Sequence, residues 1–230
     1  MAANEDQEIE QVNDEIVDTR DIWHKTEDWF EENKQKVAIG GGVLAVLIVA
    51  VVFIFVKWLP ERNKKAQREM FMAEIYFNKD SFDLALNGNM GFKGFLDVQK
   101  KYGMTKAANL CNYYIGLCYY NKKDFAKAVS YMNDFSSSDP ILSAEKYNVL
   151  GDAAAEEKKT DDAVKFYQKA ADAANNEQFT PYYLLKLGMF YEYQKKNAEA
   201  RQVYEKIRDN YPNSQEGRDI EKYLARVANA

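Results

Sequence analysis

Histidine is nearly missing from this 230-residue chain: His24 stands alone. That removes most imidazole-based metal sites and any Ser-His-Asp triad, which need histidines at defined places. Cysteine is almost as scarce, and two in a chain of this length cannot form a disulfide framework. Cys111 and Cys118 lie two turns apart in one predicted helix, about 10 Å along its axis, beyond disulfide reach, so both read as helix-core residues. The 4 prolines and 11 glycines exclude collagen-like and low-complexity chains. There is no Gly-rich phosphate loop and no Gly-x-Ser-x-Gly elbow. The carboxylate pairs Glu156-Glu157 and Asp161-Asp162 fall at predicted turns, where they read as solvated charge. A net charge of −5 argues against bulk nucleic-acid binding. The reading that remains is non-enzymatic, with no cofactor, no metal and no small-molecule substrate.

Charge is also missing from one stretch. Residues 1–36 hold 12 acids and 4 bases, residues 37–56 hold no charge, and residues 57–230 hold 27 bases and 24 acids. The uncharged run, VAIGGGVLAVLIVAVVFIFV, spans roughly 30 Å as a helix, the thickness of a bilayer core. Lys36 and Lys57 bracket it, and Trp58 sits where interfacial aromatics lie. A cleavable signal peptide would start after a short basic region and end at a small-x-small site; here the preceding segment is acidic and Lys57-Trp58-Leu59-Pro60 follows. Residues 37–58 are therefore expected to form one uncleaved transmembrane helix. Gly41 and Ala45, four apart, give it a small face against which another membrane helix could pack, although glycine is common in such helices.

The C-terminal part is internally periodic. Residues 109–140, 144–175 and 181–212 align with offsets of 35 and 37. Gly116, Gly151 and Gly188 occupy the eighth position, Ala128, Ala163 and Ala200 the twentieth, and Phe135, Ala170 and Ile207 the twenty-seventh. Small residues at the eighth and twentieth positions let two helices cross closely, with Gly151 expected to face Ala163. Lys-Lys-Asp, Lys-Lys-Thr and Lys-Lys-Asn, from Lys122, Lys158 and Lys195, mark the turns. The pattern resembles the tetratricopeptide repeat, a 34-residue helix–turn–helix unit. A degenerate unit and irregular insert precede it over 60–108: Ala66, Met70, Ala73 and Phe77 make one helix face, Ser81 is a predicted N-cap, and Gly88, Gly91 and Gly94 a predicted loop before Phe95–Lys101. Ile220, Tyr223, Leu224 and Val227 make the apolar face of a capping helix within 214–230. The predicted fold class is all-α: a single transmembrane helix, then a tetratricopeptide-repeat α-α superhelix with a C-terminal cap.

That resemblance implies a binding groove lined by the first helix of each unit. Carried over by position, its residues are Tyr113, Leu117, Tyr120 and Asn121 in the first unit and Glu145, Asn148 and Asp152 in the second. The third unit supplies Tyr182, Leu185, Met189 and Tyr193. This lining is aromatic, apolar and acidic, without the basic clamp by which some relatives hold a C-terminal carboxylate. Some of these aromatics are equally suited to packing between units. In the acidic tail 1–36, Ile16, Trp23, Trp29 and Phe30, with Ile9 and Val12, fall at roughly helical spacing. Their net −8 surroundings suit a basic protein partner better than lipid, while residues 1–15 read equally well as a disordered acidic tail.

The order of acidic tail, span and repeats is similar to the ancillary Sec translocon subunit (YfgM-type) family of bacteria. The likeness is most specific in Asp28-Trp29-Phe30-Glu31-Glu32-Asn33-Lys34 leading into the Gly-rich span, and in Tyr102-Gly103-Met104-Thr105-Lys106-Ala107-Ala108 before the first full unit. It implies a single-pass inner-membrane protein with its N-terminus cytoplasmic and its repeats periplasmic. Its implied partners are Sec translocon subunits and a membrane-anchored periplasmic chaperone of the peptidyl-prolyl isomerase class, in the service of newly exported proteins. The flanking charge leans the other way: Lys25, Lys34 and Lys36 precede the span, whereas Lys57, Arg62, Lys64, Lys65 and Arg68 follow it. A membrane-tethered cytoplasmic adaptor recruiting a soluble partner is the alternative.

Overall fold

The computed structural model of the chain describes residues 19–228, with side chains from Trp23 onward. The tail positions Ile9, Val12 and Ile16 lie outside the described residues. The chain divides into two compact units, residues 1–58 and 59–230.

In the first unit, helix α1 (Thr19–Phe53) continues into a π-helical turn, Ile54–Trp58. It is long and apolar enough to cross a membrane. Ala38 through Val56 are exposed without interruption. This uncharged segment is apolar all round and closes its backbone hydrogen bonds internally, as a bilayer-spanning helix must.

The second unit opens with helix α2 (Leu59–Phe77), which follows the π-helical turn directly and has Pro60 as its second residue. Ala66, Met70 and Ala73 are buried, as their stripe predicts, and Phe77 packs beside them. Helix α3 (Phe82–Asn87) follows with Ser81 at its N-cap position, as predicted, but the hydroxyl makes no capping bond and donates to the Lys79 carbonyl at 3.4 Å. The predicted irregular loop is a miniature hairpin. Strands β1 (Gly88–Asn89) and β2 (Phe92–Lys93) pair antiparallel, Gly88 opposite Lys93 and Asn89 opposite Phe92. Gly88 has φ 69°, and a Cβ there would strike Phe92 O and Gly94 N at 2.4 Å, so only glycine fits. Tyr76 stacks on Phe92 at 4.9 Å, which holds the hairpin against α2. Helix α4 (Phe95–Tyr102) completes this region with Phe95, Val98 and Tyr102 buried. Glu69 on α2 ties it together: Lys93, Lys101 and the Tyr102 hydroxyl all donate to its carboxylate, at 2.7–2.8 Å.

Three helix pairs follow. They are α5 (Lys106–Asn121) with α6 (Phe125–Asp134), α7 (Pro140–Glu156) with α8 (Thr160–Ala174), and α9 (Thr180–Tyr193) with α10 (Asn197–Asn210). Helix α11 (Gln215–Ala228) packs on α10 and α9 and buries Ile220, Leu224 and Val227. Thr105, Asp124 and Asp139 cap α5, α6 and α7 through their side-chain oxygens. Ala128, Ala163 and Ala200 are fully buried, and so are Phe135, Ala170 and Ile207. One detail of the predicted crossing needs correction: the closest neighbour of Gly151 across the pair is the Tyr167 ring, not Ala163. The twenty-fourth position, occupied by Met132, Tyr167 and Tyr204, covers each glycine. Cys111 and Cys118 are unpaired and buried in α5.

The turn inside each pair is the same object. Lys123, Lys158 and Lys195 adopt φ of 62°, 59° and 59°, and Asp80 repeats it in the degenerate unit at 55°. In each turn the next amide reaches back five residues, as Asp124 N does to Tyr119 O at 2.9 Å, closing a Schellman motif.

Candidate protein-binding groove

The residues carried over from the repeat pattern separate into four sets. Tyr113, Glu145 and Tyr182 come together around one cavity of about 810 Å³. Tyr120, Asn148 and Asp152 enter a polar network. Leu117 and Leu185 are half-buried between helices, the first against Met132, Val149 and Leu150, the second against the core of the third pair. Asn121, Met189 and Tyr193 are exposed. Asn121 donates to the Leu117 carbonyl of its own helix at 2.9 Å. Tyr182, Met189 and Tyr193, at spacings of seven and four on α9, share one helix face and are 47%, 46% and 83% exposed.

The polar network is centred on a residue that the repeat pattern did not single out. Lys186 Nζ lies 2.6 Å from an Asp152 carboxylate oxygen and also donates to Asn148 Oδ1. Tyr167 donates to Asp152 Oδ1 at 2.7 Å, and Tyr120 reaches Oδ2 at 3.4 Å. Burial first, and then the Asp152 charge, pushes the Tyr120 hydroxyl up to about 12 and raises Tyr167 as well. Both phenols stay protonated at neutral pH and act as donors that hold the carboxylate. The acidic lining at Asp152 is thus neutralised from within, and the groove does contain a lysine. The sequence signal was available: Lys186 sits at the sixth position of its unit, where the other two units place Tyr114 and the buried Val149.

The cavity is bounded by first-helix residues Tyr113, Glu145, Tyr182 and Tyr183, by the start of α7 at Ile141 and Leu142, and by two loops. The α8–α9 loop contributes Glu177, Gln178 and Phe179; the α10–α11 loop runs into Glu216. Asn176 shapes the first of these by accepting from Gln178 N at 3.0 Å and Phe179 N at 2.7 Å. This loop absorbs the long 37-residue offset between the second and third units, so the extra residues become cavity wall. Glu145 accepts from Asn148 Nδ2 and from the Tyr183 hydroxyl, each at 3.3 Å. Tyr113 packs on Phe135 at 5.2 Å and Tyr182 edge-on to Tyr183 at 5.1 Å, which fixes the aromatic walls.

Elsewhere, Trp23, Trp29 and Phe30 stand exposed on α1 at 73%, 58% and 51%, while Ile16 lies outside the described residues. Gly41 and Ala45 are exposed, and a Cβ on Gly41 would meet nothing within 4 Å. Among the described residues no group of three or more His, Cys, Asp or Glu could hold a metal ion.

Sequence models of the tetratricopeptide repeat match residues 111–140 and 182–214, and a second such model matches residues 144–177. These spans coincide within two residues with the units read from the sequence, and each covers most of one helix pair. No curated protein matches the chain.

Proposed function

We propose that the chain is a membrane-anchored scaffold that binds protein segments, as an accessory of the Sec translocon working with a membrane-anchored periplasmic chaperone on newly exported proteins. The repeats point to protein interaction, and one helix is long and apolar enough to span a membrane. The observation that carries the binding role is the cavity at Tyr113, Glu145 and Tyr182 together with the exposed α9 face. An 810 Å³ space walled by aromatics fits side chains of a partner segment, and tyrosine and methionine are favoured where proteins meet. The translocon assignment is supported by the tail–span–repeat order that the chain shares with the ancillary subunit family.

The test is purification of the full chain in mild detergent with identification of what stays bound. Translocon subunits and an anchored periplasmic chaperone are expected, and Tyr182→Ala with Met189→Ala should reduce their recovery several-fold without loss of helical circular dichroism. Recovery of soluble cytoplasmic proteins alone would replace this reading with the tethered cytoplasmic adaptor.

A further inference from the structure

We infer that the cavity accepts a lysine or arginine side chain presented by a partner segment that is otherwise apolar or aromatic. The inference rests on the scaffold reading and specifies the chemistry of the occupant.

The argument is one of charge complementarity in a shaped space. Every charged residue lining the cavity is an acid: Glu145, Glu177 and Glu216. They come from three different elements, α7, the α8–α9 loop and the first turn of α11, so they converge on the space and do not form one solvated stripe. Three other partly buried carboxylates of the unit are paired with its own cations, whereas Glu74 is in no ion pair among the described residues. Asp152 has Lys186, Glu69 has Lys93 and Lys101, and Glu192 has Arg226. Among the described residues none of the ion pairs includes Glu145, Glu177 or Glu216, and Glu145 is met only by the neutral donors Asn148 and Tyr183. The start of α11 offers Glu216 the helix dipole, a weaker partner than an ammonium or guanidinium.

The negative potential registers on the walls. After burial, the charges of Glu145, Asp152 and Glu216 raise the Tyr182 hydroxyl, and burial followed by Glu145 raises Tyr113 and Tyr183. Those aromatic faces attract a cation through their quadrupoles, while Ile141, Leu142 and Phe179 suit the aliphatic stem of lysine or arginine. The same field disfavours two other occupants. The chain's own residues 1–36 carry a net −8, and a partner's C-terminal carboxylate would meet no lysine or arginine in the lining.

The probe is a library of immobilised decapeptides with randomised flanks and one fixed central residue, Lys, Arg, norleucine or Glu, read against the full chain in detergent. Lys and Arg pools should retain the protein about tenfold or more over norleucine, with Glu lowest. The preference should fall several-fold in Glu177→Gln/Glu216→Gln, both at the surface and outside the core. Equal retention by Lys and norleucine pools, or a preference unchanged in the double variant, overturns the inference. If membrane partners still co-purify in that event, the scaffold reading stands; if no pool and no partner is retained, both fall. A wild-type dimer that dissociates in the double variant would make a second copy the occupant and overturn the partner assignment.

Discussion

The Tyr167 ring lies across Gly151 so closely that a Cβ on residue 151 would meet its Cδ1 and Cε1 at 2.7 Å. The same geometry recurs at Gly188, where the Tyr204 ring would be met at 2.3 Å, and in a softer form at Gly116, where flexible Met132 atoms stand at 3.0 Å. Alanine gains up to about 1 kcal/mol over glycine in a helix interior, but overpacking against a fixed ring costs about 1–3 kcal/mol. Thermal unfolding of the full chain in detergent should therefore rank Gly188→Ala as most destabilised, then Gly151→Ala, with Gly116→Ala within about 1 kcal/mol of wild type. Three equal melting temperatures would mean that these glycines are not the contact points of their pairs.

The left-handed turn residues make a second, opposite prediction. Lys158 holds φ 59°, a conformation that costs a residue with a Cβ roughly 1–2 kcal/mol and glycine nothing. Greater freedom of glycine in the unfolded chain returns about 0.5–1 kcal/mol of that gain. Lys158→Gly should melt at or slightly above wild type, and Lys158→Val clearly below it. Valine tolerated as well as glycine would show that the turn is not held in this conformation.

The order of the helices and their small-residue contacts was legible because both are periodic. Gly116, Gly151 and Gly188 announce themselves by recurrence, and so does the uncharged run at 37–56. The candidate binding surface was less legible, for a physical reason. Position within a unit says which way a side chain starts out, not what it meets. Tyr120 and Asp152, assigned to the groove by position, are both taken up by the network around Lys186. Glu177 and Phe179 belong to an insertion and Glu216 to the cap, so no repeat register could assign them to the cavity. The hairpin at Gly88–Lys93 was hidden because its two strands are only two residues each, too short for any alternation to show.

Acid should act first on the degenerate unit. Burial alone would raise the Glu69 carboxyl, but hydrogen bonds from Lys101, Lys93 and Tyr102 outweigh it and bring it from 4.5 to about 2. Because the folded group titrates below the unfolded one, its stabilisation is complete above about 4.5 and is lost as pH falls toward about 2. Allowing for solvent screening of this partly exposed cluster, the contribution at neutral pH is about 1–2 kcal/mol. Glu69→Gln should be less stable than wild type by that amount at pH 7, with the gap narrowing through pH 4 and closing near pH 2. A gap independent of pH would assign the loss to packing and not to charge.

The proposed orientation places residues 59–230 in the periplasm, and the chain's own cysteines favour a clean test. Cys111 and Cys118 are fully buried, and burial pushes both thiols up to about 12, so the reactive thiolate is scarce at neutral pH. In the folded protein neither should react with a membrane-impermeant maleimide on the timescale of an exposed thiol, and replacing both by alanine makes the background nil. A cysteine appended after Ala230 should then be labelled in intact cells with a permeabilised outer membrane. A cysteine at Ala3 should stay unlabelled until the inner membrane is broken. The few lysines and arginines flanking the span differ by only three against five, a margin small enough for the architecture of a family to override. Labelling at Ala3 in intact cells, with the C-terminal thiol protected, would place the repeats in the cytoplasm and remove the basis for a role on exported proteins.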